Sequence, residues 1–185
     1  MKMKLVLTAI FSIFLTVAAV SAQQKTAANF AGKWELDASK SKLGDRMRIE
    51  SMTMTVSQTD KELKVESTSK RAARPEGSGN GGGTNRGGFG GEGTQTATYA
   101  LDGKETKIQQ ETPRGQIPVS LKAAWEKDGK LKLSSSRTFD SPSGSMTTTV
   151  KETWSLSPDG KILTVVREQE TPRGNFSTEL VFNKK

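Results

Sequence analysis

The stretch from Met146 to Gln169, MTTTVKETWSLSPDGKILTVVREQ, decides how the rest of the chain is read. Met146, Val150, Trp154 and Leu156 share one parity, while Thr147, Thr149 and Lys151 share the other. Beyond Asp159-Gly160-Lys161 the alternation resumes, with Leu163, Val165 and Arg167 on one face. Period two marks a strand with one buried face, and an Asp-Gly pair supplies the positive φ angles that tight hairpins need. The segment is predicted to be a β-hairpin, and the same pattern runs outward from it in both directions.

Upstream, apolar parity groups Phe30, Gly32, Trp34 and Leu36; then Met52, Met54 and Val56; then Ala97, Tyr99 and Leu101; then Val119, Leu121, Ala123 and Trp125. Downstream it groups Phe176, Leu180 and Phe182. The opposite faces are Thr, Ser, Lys and Glu, as in an antiparallel sheet wetted on one side. Asp-Gly-Lys recurs at 102–104 and 128–130, each time between two alternating stretches. Gln110-Glu111-Thr112-Pro113-Arg114-Gly115 recurs as Gln169-Glu170-Thr171-Pro172-Arg173-Gly174, which fits a meander of similar hairpins; duplication and convergent turn chemistry both account for it. Ten strands are predicted, over 30–37, 47–57, 61–69, 94–101, 104–111, 117–126, 130–139, 145–156, 161–169 and 175–183. A short helical turn is expected near Ala38 to Leu43, with Asp37 as its cap. The fold class is all-β: an antiparallel up-and-down meander closing into a barrel, which removes exposed sheet edges, with an open curved sheet as the alternative.

Composition narrows the chemistry. The chain of 185 residues has no cysteine and no histidine, so disulfides, thiolate nucleophiles, imidazole metal ligands and a Ser-His-Asp triad are all excluded. Paired catalytic acids are not visible either, and the chain is expected to be non-enzymatic, with no catalytic residue, no metal and no cofactor. Lys2 and Lys4 precede an apolar run from Leu5 to Val20, and Val20-Ser21-Ala22 places small residues where a signal peptidase reads them. Residues 1–22 are read as a signal peptide cleaved after Ala22, residues 23–29 as a flexible N-terminus, and 30–185 as one domain. The run is shorter than the roughly 20 residues of a membrane span. A secreted or periplasmic protein, not a lipoprotein and without a stable membrane span, is expected. Losing Lys2 and Lys4 lowers the charge excess from +8 by two, to +6.

The first strand carries a family resemblance. Phe30-Ala31-Gly32-Lys33-Trp34-Glu35-Leu36-Asp37 resembles the Gly-x-Trp opening of lipocalins and of secreted bacterial lipocalin-like proteins, and Lys40-Ser41-Lys42 is similar to what the latter carry. Thr59-Asp60-Lys61 stands where the second lipocalin motif has Thr-Asp-Tyr, and no arginine is evident to stack on Trp34. The resemblance implies a calycin barrel with a cavity for small hydrophobic molecules. It also implies that Gly32 and Trp34 are structural at the closed end, and that the first-to-second strand connection lies at the open mouth.

In an up-and-down meander successive turns alternate between the two ends. The Asp-Gly-Lys turns fall at one end, and all nine arginines (Arg46, Arg48, Arg71, Arg74, Arg86, Arg114, Arg137, Arg167 and Arg173) fall on or near the other. Arginine presents a planar fork suited to carboxylate, sulfate or phosphate. Arg71, Arg74, Arg86, Arg114 and Arg173 are therefore assigned to the rim of the mouth. Arg137 and Arg167 share parity with buried positions, so alternation turns them inward, where each needs an acceptor; Glu152 is the evident internal partner. The expected cavity wall is Met52, Met54, Tyr99, Trp125, Arg137, Glu152, Trp154 and Arg167. An internal Arg–Glu network and a ligand clamp are both open at this point.

Pro75 to Gly93 holds 10 of the 18 glycines and is read as the centre of a mobile loop over 70–93. Arg86-Gly87-Gly88-Phe89-Gly90-Gly91 resembles RNA-binding Arg-Gly-Gly segments, but an exported protein gives it no such use, and no nucleic-acid partner is expected. The function expected from the sequence is binding of a small hydrophobic or amphiphilic, anionic-capable molecule by a monomer. The alternative is a cell-envelope protein whose basic rim meets acidic polysaccharide or lipid head groups.

Overall fold

The structure, a computed structural model, describes residues 27–44, 48–72, 93–112, 115–141, 144–171 and 174–185. The leader-like residues 1–22, most of the Gly-rich segment, and Arg46, Arg74, Arg86, Arg114 and Arg173 lie outside the described residues. Ten strands form one antiparallel sheet: β1 (Gly32–Leu36), β2 (Ile49–Gln58), β3 (Glu62–Arg71), β4 (Gly93–Ala100), β5 (Glu105–Thr112), β6 (Gly115–Trp125), β7 (Leu131–Ser141), β8 (Gly144–Leu156), β9 (Ile162–Thr171) and β10 (Gly174–Lys184). Each coincides with a strand expected from alternation.

Sheet order is β4-β3-β2-β1-β10-β9-β8-β7-β6-β5. First and last strands pair through Trp34 with Lys184 and Leu36 with Phe182, which rolls the meander into a nearly closed barrel. Closure is incomplete between β4 and β5, which approach without forming a ladder. This corrects two expectations, that the barrel removes its edges and that all three Asp-Gly-Lys turns join paired strands. The turns at 128–130 and 159–161 do join paired strands, whereas Asp102-Gly103-Lys104 joins strands that diverge. The physical reason is the meagre inward apolar surface here. Beyond Tyr99 and the half-exposed Ile108, the inward positions are Gln95 and Ala97 on β4 and Thr106 and Gln110 on β5, which bury little apolar surface between the two strands. Glu105, Lys107 and Glu111 on the outer face of β5 place charge along an unpaired edge, a common guard against edge-to-edge association.

The end holding the Asp-Gly-Lys turns is packed shut. Gly32 sits at φ +142°, where the chain breaks from strand geometry, and a Cβ there would lie 2.8 Å from the Lys184 side chain. Phe30 therefore leaves the β1 register and passes beneath the barrel. The Gln58 side-chain amide fixes it from both sides, accepting from the Phe30 N–H at 2.9 Å and donating to the Ala28 carbonyl at 3.0 Å. The Trp34 indole donates to the Phe30 carbonyl at 2.9 Å. The Phe30 ring stacks on Trp125 at 5.9 Å and meets Trp154 edge-on at 5.6 Å. Around this cluster Leu63, Leu131, Leu133, Leu163 and Phe182 are fully buried. Lys184 stands over the Trp34 ring at 5.2 Å, so a lysine of the last strand supplies the cation that no arginine provides.

Between β1 and β2 the chain forms a turn at Ala38–Lys40, not a helix. Asp37 does cap it: its carboxylate accepts from Ser39 at 2.6 Å and from the Lys40 N–H, and reaches Asn183 on β10. Hydrogen bonds from Ser39 above all, then Lys40 and Asn183, hold this carboxyl well below the usual aspartate range. A helix loses here because Lys42 pairs with Glu179 through both backbone groups, extending the sheet instead. The outer barrel wall is polar, with Lys122, Lys132 and Lys151 exposed.

Candidate ligand site in the barrel

Burial of inward-facing residues changes along the barrel axis. At the closed end these positions are almost wholly covered. Toward the opposite end Met146 is 43% exposed and Ile117, Phe139 and Phe176 are only partly buried; Ile108, level with Arg137 on the edge strand β5, is 38% exposed beside the open seam. An inward side chain can be exposed only where solvent reaches the interior, so this end is open; its inner lip is apolar along β6, β7, β8 and β10 and polar along β3, β4, β5 and β9, where Ser69, Gln95, Gln110 and Gln169 stand.

Between this lip and the packed end lies a polar belt. Glu152 on β8 and Arg167 on β9 face each other across the ladder, and both are buried, at 5% and 2% exposure. One Glu152 oxygen stands 3.8 Å from Arg167 Nε, and the other accepts from the Trp154 indole at 2.9 Å. Arg137 on β7 is half-buried and lies opposite Val119 and Thr148. Its Nε is buried and makes no hydrogen bond among the described residues; the same holds for the Thr178 hydroxyl, opposite Arg167 on β10. Tyr99 on β4, paired with Leu63, lies within electrostatic reach of Glu152, Arg137 and Arg167; Ser67 and Ser69 on β3 are buried further toward the open end, opposite Gln95 and Gly93.

The electrostatics follow from burial. Desolvation, aided by the Glu152 charge and opposed by the two arginines, pushes the Tyr99 phenol well above its ordinary range, so it stays a neutral donor and acceptor. Burial also lowers both guanidinium pKa values, and Arg167 lowers that of Arg137 further by like-charge repulsion; guanidinium nevertheless remains charged in a protein. Glu152 and Tyr99 offset the effect at Arg167, but at Arg137 only Tyr99 does.

Of the residues expected to line a cavity, Tyr99, Arg137, Glu152 and Arg167 come together in the belt. Met52 and Met54 are buried on the β2 wall. Trp154 links the belt to the packed end, and Trp125 is not a cavity wall residue: it stacks on Phe30 at that end, partly buried beside the 126–130 turn. Gly32 and Trp34 are structural parts of the closed end. Arg71 is exposed at the end of β3, level with Ile49. Sequence reasoning missed Ile108, Ile117, Phe139 and Thr178. Phe139 was within reach, since it follows Arg137 by two residues and shares its parity; Ile108 and Ile117 sit in strands whose polar neighbours blur the alternation. Two hollows lie elsewhere, one of about 550 Å³ beside the 126–130 turn and one of about 290 Å³ on the outer wall between Lys107 and Thr138. Neither gathers buried charged groups.

Fold and inner wall define a nearly closed, ten-stranded up-and-down β-barrel with a polar belt inside it. Two solved structures resemble it: zebrafish ileal bile acid-binding protein complexed with cholic acid (TM-score 0.49, 15% identity, 84% of this chain and 98% of that one) and Schistosoma mansoni fatty acid-binding protein in complex with arachidonic acid (TM-score 0.43, 12% identity, 84% and 96%). No protein-family model and no curated protein matches the sequence.

Proposed function

We propose that the protein is a non-enzymatic carrier that takes an anionic amphiphile through the open end of the barrel. The observation that carries this reading is the half-buried Arg137, whose Nε has no partner among the described residues and which stands beside a second guanidinium instead of a carboxylate. An interior cation without an anion is costly unless a ligand or solvent supplies the counter-charge. Apolar residues at the lip and a cationic belt below them orient the ligand: the head group goes in first, to Arg137, Arg167 and Tyr99, and the tail lies against Ile117, Phe139, Met146 and Phe176. The leader-like residues 1–22 support an exported carrier.

Native mass spectrometry of the protein purified from its own source, before and after organic extraction, tests the proposal. A bound species of amphiphile mass, lost on extraction and restored by adding a fatty acid, is the expected result. Protein that is empty before extraction and takes up no amphiphile afterwards would contradict it.

A further inference from the structure

Charge on the inner wall is unequally compensated. Glu152 lies opposite Arg167, whereas Arg137 lies opposite Thr148, four residues nearer the open end along β8. Among the described residues the groups acting on Arg137 are Tyr99 from β4 and Arg167 from β9, with no carboxylate among them. Between the two barrel ends, the inward positions of the described strands thus carry two guanidinium groups and one carboxylate. Glu152 is further held by the Trp154 indole, so it is built into the belt and does not swing out of a ligand's way.

Resting on the carrier reading above, we propose that Glu152 sets the charge of the ligand: the barrel selects head groups bearing one negative charge, such as carboxylates or sulfate esters, over dianionic phosphate monoesters and over neutral alcohols. The chemistry is a matter of balance in a poorly solvated interior. A single negative charge completes the pairing of Arg137 and leaves the Glu152–Arg167 pair intact. A head group seated between Arg137, Arg167 and Tyr99 lies, as Tyr99 does, within electrostatic reach of Glu152, so a second negative charge there is repelled by that carboxylate across a poorly solvated interior. A neutral head leaves Arg137 as it is in the free protein and gains only the tail contacts. Glu152 would act here as a specificity residue without being the principal contact.

The test is calorimetric titration of the extracted full chain with decyl sulfate, decyl phosphate and decanol. A phosphate monoester loses its second proton near about pH 6, so decyl phosphate is a monoanion at about pH 5 and a dianion at about pH 8, while decyl sulfate keeps one charge throughout. At the higher pH the wild-type protein should bind sulfate at least about tenfold more tightly than phosphate, and at the lower pH the gap should close. Glu152→Gln, which preserves an acceptor for the Trp154 indole, should narrow the gap at the higher pH by a similar factor. Equal affinities for the two anions at the higher pH, or a Gln variant that changes both equally, would overturn the assignment. Should the variant not fold, the wild-type pH series decides alone, and a phosphate affinity that tracks sulfate across the range overturns it. Binding of all three ligands without discrimination sinks the role of Glu152 and leaves the carrier reading standing; binding of none of them sinks the carrier reading itself.

Discussion

A Phe30→Ala variant should lose about 3–5 kcal/mol of stability, the range for removing a fully buried aromatic from a packed site. Phe30 is wholly covered, stacking on Trp125 and meeting Trp154 edge-on. Its backbone is pinned by Gln58 and Trp34, so the chain cannot easily shift to fill the space. In a domain of this size the loss corresponds to a melting temperature lowered by roughly 10 °C or more. Urea unfolding followed by tryptophan fluorescence measures it directly, with Phe176→Ala as the comparison. Phe176 is only partly buried at the open end and should cost no more than about 1 kcal/mol. Equal losses for the two variants would show that the segment before β1 is not the plug of the closed end.

The second large effect is at Arg137, where stability and binding are expected to move in opposite directions. Arg137→Met keeps the apolar stem, removes a charge that Arg167 repels, and leaves no acceptor unpaired. The variant should melt at the same temperature as the wild type or slightly above it. Its affinity for decyl sulfate should fall roughly ten- to hundredfold, since hydrogen bonds to charged groups are worth about 1.5–3 kcal/mol. Its affinity for decanol should hardly change. Gained stability at the expense of binding is the signature of a residue kept for function. Equal losses for sulfate and alcohol, accompanied by a lower melting temperature, would mark Arg137 as structural.

Much of this was legible in the sequence because period two survives wherever one sheet face is buried. Parity alone turned Arg137, Glu152 and Arg167 inward and placed the Asp-Gly-Lys turns at one end of the meander. Three features were not legible, each for a physical reason. Asp102-Gly103-Lys104 has the same local chemistry as its two counterparts, and local chemistry cannot say whether the flanking strands bury enough surface to pair. Phe30 fits the parity of β1, yet a positive φ at Gly32 takes it out of the strand and under the barrel. The cation over Trp34 comes from Lys184, a contact that depends on the pairing of the first and last strands.

The belt's unequal charge is likewise a property of register. Sequence parity puts two arginines and a glutamate on the inner wall; only the ladder shows which arginine the glutamate faces. That distinction places Arg167 against Glu152 and leaves Arg137 facing Thr148, the arrangement on which the proposed carrier role rests.

The central claim, that an anionic head group seats on the belt inside the barrel, is tested most directly by side-chain NMR of the arginine Nε–H groups during a titration with decyl sulfate. The resonances of Arg137 and Arg167 should shift together and saturate at one ligand per protein, and decanol should leave the Arg137 resonance nearly unmoved. Shifts confined to Arg71 and the exposed lysines, with Arg137 and Arg167 unchanged at saturation, would contradict the claim.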